Sequence, residues 1–219
     1  MAGTKGEDAD GTMTLGHRPI VLTGVSRSGK SILARRLAAA TGRVLLRTDD
    51  LRRAYWDDPD PGMRLARRRA CFAEHLRRHD GHVVLEGVDL MFADAVAPAL
   101  AKRGVPGDNI RPDLRHALAL RWAAGALLAA LAFPDAPVDA KIGAIHRHRA
   151  AEPCWTARLS EGGLRYSVRR WRWVGSRLRH RARDAAVPFH GIGADHFDRD
   201  LRRAERAILD AAARSASRP

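Results

Sequence analysis

From residue 19 the chain alternates short, continuously apolar runs with longer stretches whose apolar positions recur every third or fourth residue. PIVLT (19–23), RVLLR (43–47) and HVVLEG (82–87) are too short for helices with one polar face, and read as strands buried on both sides. SILARRLAAATG (31–42) has helical spacing and closes on Gly42. Residues 63–80 predict a helix with Leu65, Phe72 and Leu76 on one face and Arg67, Arg68, Arg77 and Arg78 elsewhere. Further on, 89–104 reads as a helix, RHALALRW (115–122) as the fourth strand, VDAKIGAIHRHRAA (138–151) as a helix and 152–166 as a loop. A strong helix follows over 167–186, capped by Ser167, with Val168, Trp171, Val174, Leu178 and Ala182 at helical spacing. VPFHGIG (187–193) is the last strand and 197–213 the terminal helix. Strands that alternate with helices predict a parallel sheet with right-handed crossovers in one domain, 18–213, between tails at 1–17 and 214–219.

Composition adds a charge and removes several classes. The formal net charge is +14, which suits polyanions, but the bias of 35 arginines against four lysines also fits a genome rich in G and C. Cys71 and Cys154 are too few and too far apart for a disulfide framework, so a reducing cytoplasmic location is expected. The first residues lack the apolar core of a secretory signal, and the most apolar stretch, 117–133, carries Arg121 and falls short of the roughly 20 residues of a membrane span. The expectation is a monomer or homodimer without a membrane segment.

The chemistry concentrates at GVSRSGKS, 24–31, which satisfies G-x-x-x-x-G-K-S between a strand and a helix. Glycines let the backbone curl so that successive N–H groups face phosphate oxygens, and the helix adds its electropositive end. Gly24, Ser26, Arg27, Ser28, Gly29, Lys30 and Ser31 are therefore the candidate nucleotide contacts, with Lys30 reaching the β- and γ-phosphates and the Ser31 hydroxyl a magnesium ligand. Ligands of parallel sheets gather at the carboxyl ends of strands, which brings Asp49, Asp50 and Glu86 into question as acids facing the same loop.

The phosphate loop, TDDLR (48–52) and VVLEG (83–87) together resemble the P-loop small-molecule and nucleotide kinases, in the uridine-kinase-like or 2-phosphoglycerate-kinase-like branch. The resemblance implies an α/β, three-layer P-loop NTPase fold like that of the nucleoside monophosphate kinases, with a parallel five-stranded sheet and an Arg-rich lid at about 150–172. It implies ATP and Mg2+ as cofactors and a small-molecule substrate, with Asp49 as catalytic base or hydroxyl positioner and Asp50 as the alternative. Glu86 would sit by the magnesium or the substrate. Arg52 and Arg53 would grip an anionic acceptor. Of the lid arginines Arg158, Arg165, Arg169, Arg170 and Arg172, one or two would act on the transferring group, with Arg158 and Arg169 the choices, and Gly162 and Gly163 would form the hinge. Gly191, Ile192 and Gly193 would lie beside the adenine. The third strand departs from motor ATPases in ending on Glu, and the chain has no N-K-x-D guanine-reading motif. A nucleic-acid-binding P-loop protein, either a polynucleotide 5′-hydroxyl kinase or a nucleic-acid-stimulated ATPase, is the alternative that the charge and Trp155, Trp171 and Trp173 support. Cys71, His75 and His79 share one helical stripe but lack a fourth ligand, and read as structural residues.

Overall fold

The computed structural model describes residues 17–47, 49–50, 74–87, 126–151, 155–184 and 186–216. The short apolar runs are strands: β1 (Ile20–Gly24), β2 (Val44–Arg47), β3 (Val83–Gly87), β4 (Leu127–Ala132) and β5 (Phe189–Gly191). The helices are α1 (Lys30–Thr41), α2 (Val138–Ala151), α3 (Glu161–Asp184) and α4 (Phe197–Ala216), with a 3-10 turn at Trp155–Arg158. All neighbouring strands run parallel, in the order β2-β3-β1-β4-β5. β1 is thus central, with strands two and three of the chain on one side and four and five on the other. The chain changes side at β1, which puts the crevice of the fold at that strand's carboxyl end.

Successive side chains of β1 enter different cores, which is why its run is apolar at every position. Ile20 and Leu22 pack with Leu33, Ala34 and Leu37 of α1 and Leu201, Ala204 and Ile208 of α4. Val21 packs on the other face with Ile142 and Ile145 of α2 and Leu164, Val168, Leu178 and Ala182 of α3. The result is three layers, helices on both faces of a parallel sheet. Arg36 ties α1 to α4 through Asp198 and Glu205, at 3.7 and 3.8 Å. On the opposite face Gly175 lets α3 press against β4, since a Cβ there would stand 2.9 Å from that of Ala132.

Several sequence expectations shift. The strand beside β1 is Leu127–Ala132, whereas the expected 115–122 lies outside the described residues. Both segments belong to one Ala/Leu run, in which hydrophobicity is high everywhere and marks no boundary. The expected cap Ser167 is inside α3, which starts six residues earlier at Glu161. Ser160 caps it, its hydroxyl accepting the Gly163 N–H at 3.1 Å. Of the helix expected at 63–80, residues 74–78 are seen as helical; the rest, the helix at 89–104 and most of both tails lie outside the described residues.

Candidate functional site

The loop after β1 is held by contacts on its outer side. Gly24 has φ 143°, and a Cβ there would lie 1.8 Å from the Leu131 carbonyl oxygen of β4, so no side chain fits. One residue on, the Val25 N–H donates to that same oxygen at 3.2 Å. Arg27 and Gly29 both take positive φ, 63° and 89°, which folds the loop back toward α1. The Gly29 carbonyl then accepts the N–H groups of Ile32 and Leu33, starting the helix. Inside the loop, Ser28 Oγ and Lys30 Nζ both donate to the Val25 carbonyl, at 2.9 and 2.8 Å. Among the described residues, the N–H groups of Ser26, Ser28, Gly29 and Ser31 make no hydrogen bond to another main-chain group. A run of main-chain donors at a helix N-terminus, beside a buried lysine, is suited to phosphate oxygens.

Strand register brings the acids to the same edge. Glu86, the penultimate residue of β3, lies opposite Leu22 of β1 and Arg47 of β2. Its carboxylate is buried, and its Oε2 sits 3.6 Å from Arg47 Nε. The same Nε is 4.0 Å from Asp50 Oδ2, while Asp49 stands partly buried in the turn of helix just after β2. Arg47 therefore links Glu86 and Asp50 into one charged group. Sequence reasoning passed over Arg47 because it ends an apolar run and reads as the strand's polar boundary.

The arginines assigned to a lid fall on two elements, the 3-10 turn and α3. Arg165, Arg169, Arg170 and Arg172 belong to the first half of α3, whose Leu164 and Val168 are fully buried in the core. Gly162 and Gly163 lie in its first turn and so do not provide the hinge expected of them. Arg165 pairs with Asp139 of α2 at 2.6 Å, and Arg172 Nε donates to the Pro134 carbonyl at 3.3 Å, so both fasten α3 to the β4–α2 connection. Arg169 is exposed on α3 and Arg158 exposed in the 3-10 turn. That turn does reach the phosphate loop: Arg27 Nη2 donates to Thr156 Oγ1 at 3.3 Å, and Thr156 is fully buried.

On the other side of the loop, Ile192 is a core residue, 1% exposed, and its N–H is taken by the Ala132 carbonyl at 2.8 Å. Arg52 and Arg53 lie outside the described residues. Among the described residues no three His, Cys, Asp or Glu side chains form a metal cluster. His75 stacks loosely near His79, and Cys71 lies outside the described residues.

One buried cation was missed altogether. Lys141 of α2 is 2% exposed, its Nζ over the rings of Phe133 and Phe197. Burial first, and the Arg27 guanidinium second, lower its pKa to about 8. Nothing local distinguishes Lys141 in VDAKIGAI, since its neighbours come from three distant segments.

Comparison with known proteins agrees with this geometry. A family described as AAA domain matches residues 20–106. Among solved structures, a candidate kinase from Chloroflexus aurantiacus J-10-fl superposes with a TM-score of 0.53 at 14% identity, covering 93% of this chain and 99% of that one. A sugar kinase from Janibacter sp. HTCC2649, solved unliganded, gives a TM-score of 0.45 at 16% identity, covering 90% of this chain and 98% of that one. The second likeness is too slight to bear on the fold. No curated protein sequence matches the chain. The parallel sheet, with its glycine-rich loop after β1, and the likeness to the first of these structures show that the chain shares the α/β fold of that candidate kinase.

Proposed function

We propose that the protein is a phosphotransferase that moves the γ-phosphoryl group of ATP, with magnesium, to a hydroxyl of a small polar or anionic metabolite. The observation that supports this reading is the parallel register that pairs Glu86 with Leu22 of β1 and Arg47 of β2, at the strand ends after which the loop of main-chain donors and Asp49 follow. A loop alone would serve any nucleotide binder. Acids at the neighbouring strand ends give the acceptor hydroxyl a base.

In this reading the N–H groups of residues 26–31 and Lys30 hold the phosphate chain, Lys30 exchanging the Val25 carbonyl for phosphate oxygens. Asp49 orients the acceptor hydroxyl and takes its proton as the oxygen–phosphorus bond forms and the bond to the β-phosphate oxygen breaks, releasing ADP. Asp50, exposed and near Arg47, is the alternative base. Magnesium keeps most of its water and needs few protein ligands, so the Ser31 hydroxyl with the buried Glu86 carboxylate fits it without a preformed cluster. When bound, the ion neutralises phosphate charge. Arg158, in the turn whose Thr156 accepts from Arg27, and less directly Arg169 of α3, supply cations for the transferring group.

The test is a metabolite-pool screen with purified protein, ATP and magnesium, following phosphoryl gain by mass. Once an acceptor is found, Asp49→Asn should lower turnover roughly 10²- to 10⁴-fold with ATP affinity retained. Unchanged turnover in Asp49→Asn would move the base to Asp50, and absence of transfer to every acceptor would sink the phosphotransferase reading.

A further inference from the structure

Lys141 is placed against the phosphate loop by two aromatic residues. Its Nζ lies 4.3 Å from the ring centroid of Phe133, which follows β4, and 5.3 Å from that of Phe197, which opens α4. Phe197 itself presses on the loop, its Cζ 3.0 Å from where a Cβ on Gly29 would stand. The ammonium therefore belongs to the rim of the loop rather than to a distant part of the core.

Among the described residues that ammonium has no hydrogen-bond acceptor and no carboxylate partner. Ring faces compensate a buried cation only in part. A charged neighbour is Arg27 of the loop, also positive, which adds to burial in disfavouring the ammonium form of Lys141. Two cations from separate elements at the candidate phosphate loop, one of them on a largely buried residue, form an arrangement that an anion would complete.

We propose that Lys141 is a second ammonium ligand of the bound polyphosphate, acting with Arg27 and separately from Lys30. An oxyanion between Lys141 and Arg27 accepts charge-assisted hydrogen bonds from both and cancels their repulsion. The ligand class is a nucleoside triphosphate or diphosphate, recognised here by its phosphate chain and not by its base. This rests on the nucleotide reading of the loop, and its test reads binding and not transfer.

The test is calorimetric titration of the full chain with ATP and with inorganic tripolyphosphate, for wild type, Lys141→Met and Lys141→Gln, with thermal unfolding of each protein alone. Both variants should bind both ligands roughly 10- to 100-fold more weakly, the loss of one charge-assisted bond, while unfolding at or above the wild-type temperature. A residue needed only for packing would show the reverse, a lower unfolding temperature with affinity kept. Wild-type affinity in the variants overturns the proposal, as does a loss confined to ATP, which would put Lys141 at the nucleoside. Failure of wild type to bind either ligand overturns the nucleotide reading as well, and so is distinguishable from failure of this inference alone.

Discussion

Lys141 couples folding stability to pH. Folding lowers its pKa from 10.5 to about 8, chiefly by burial, so the folded state disfavours the charged form. Below pH 8 both folded and unfolded chains hold the proton and the full penalty is present. Between about pH 8 and 10.5 the folded chain has released the proton that the unfolded chain keeps, so stability rises with pH. Lys141→Met should therefore be more stable than wild type at pH 7 by about 2–3 kcal/mol, an advantage that shrinks toward pH 10 in denaturant titrations. A constant difference across that range would contradict the assignment. The same residue shows where the site could not be read from sequence. The phosphate loop was legible because its chemistry is contiguous from Gly24 to Ser31, and Asp49 and Glu86 because they follow apolar strands. Lys141 and Arg47 gain their meaning only from partners that folding brings in, Phe133, Phe197 and Arg27 for one and Glu86 for the other.

Among the elements, strands and helices with strong contrast between apolar and polar positions fell where their patterns predicted. α2 occupies 138–151 as read, β1 is shifted one residue later than expected, and β2 and β3 each start one residue later. Where contrast was lacking, as in the Ala/Leu run that contains β4, the pattern could not place the strand. The start of α3 was misread for a different reason: two glycines suggested a hinge, while Ser160 supplied a cap four residues before the first buried position, Leu164. Ser160→Ala should cost about 1 kcal/mol and lower the unfolding temperature by roughly 2–4 °C. Ser167→Ala, in mid-helix, should stay within about 0.5 kcal/mol of wild type. Equal effects in thermal melts would return the cap to Ser167. Because α3 begins at 161 with Leu164 already buried, the arginines from 165 onward are carried by a helix packed into the core.

At the scale of the whole molecule, the +14 charge is spread over exposed faces as well as the site. Along α3, Tyr166, Arg169, Arg170, Trp173 and Arg177 are all exposed, with the Arg177 guanidinium 5.0 Å from the centre of the Trp173 ring. Such a stripe can engage single-stranded nucleic acid through phosphates and stacking. If three phosphates are neutralised, oligonucleotide affinity should fall roughly 20-fold between 50 and 200 mM salt. Binding by fluorescence anisotropy that resists salt, and is lost in Trp173→Ala, would instead favour the nucleic-acid partner over incidental charge. The contact between Arg27 and Thr156 also has an optical consequence. Trp155, the next residue, is 55% exposed and meets Trp171 edge-on at 5.8 Å. An indole so placed is a label-free dye beside the loop, and a change in its emission on adding tripolyphosphate would time binding without any acceptor.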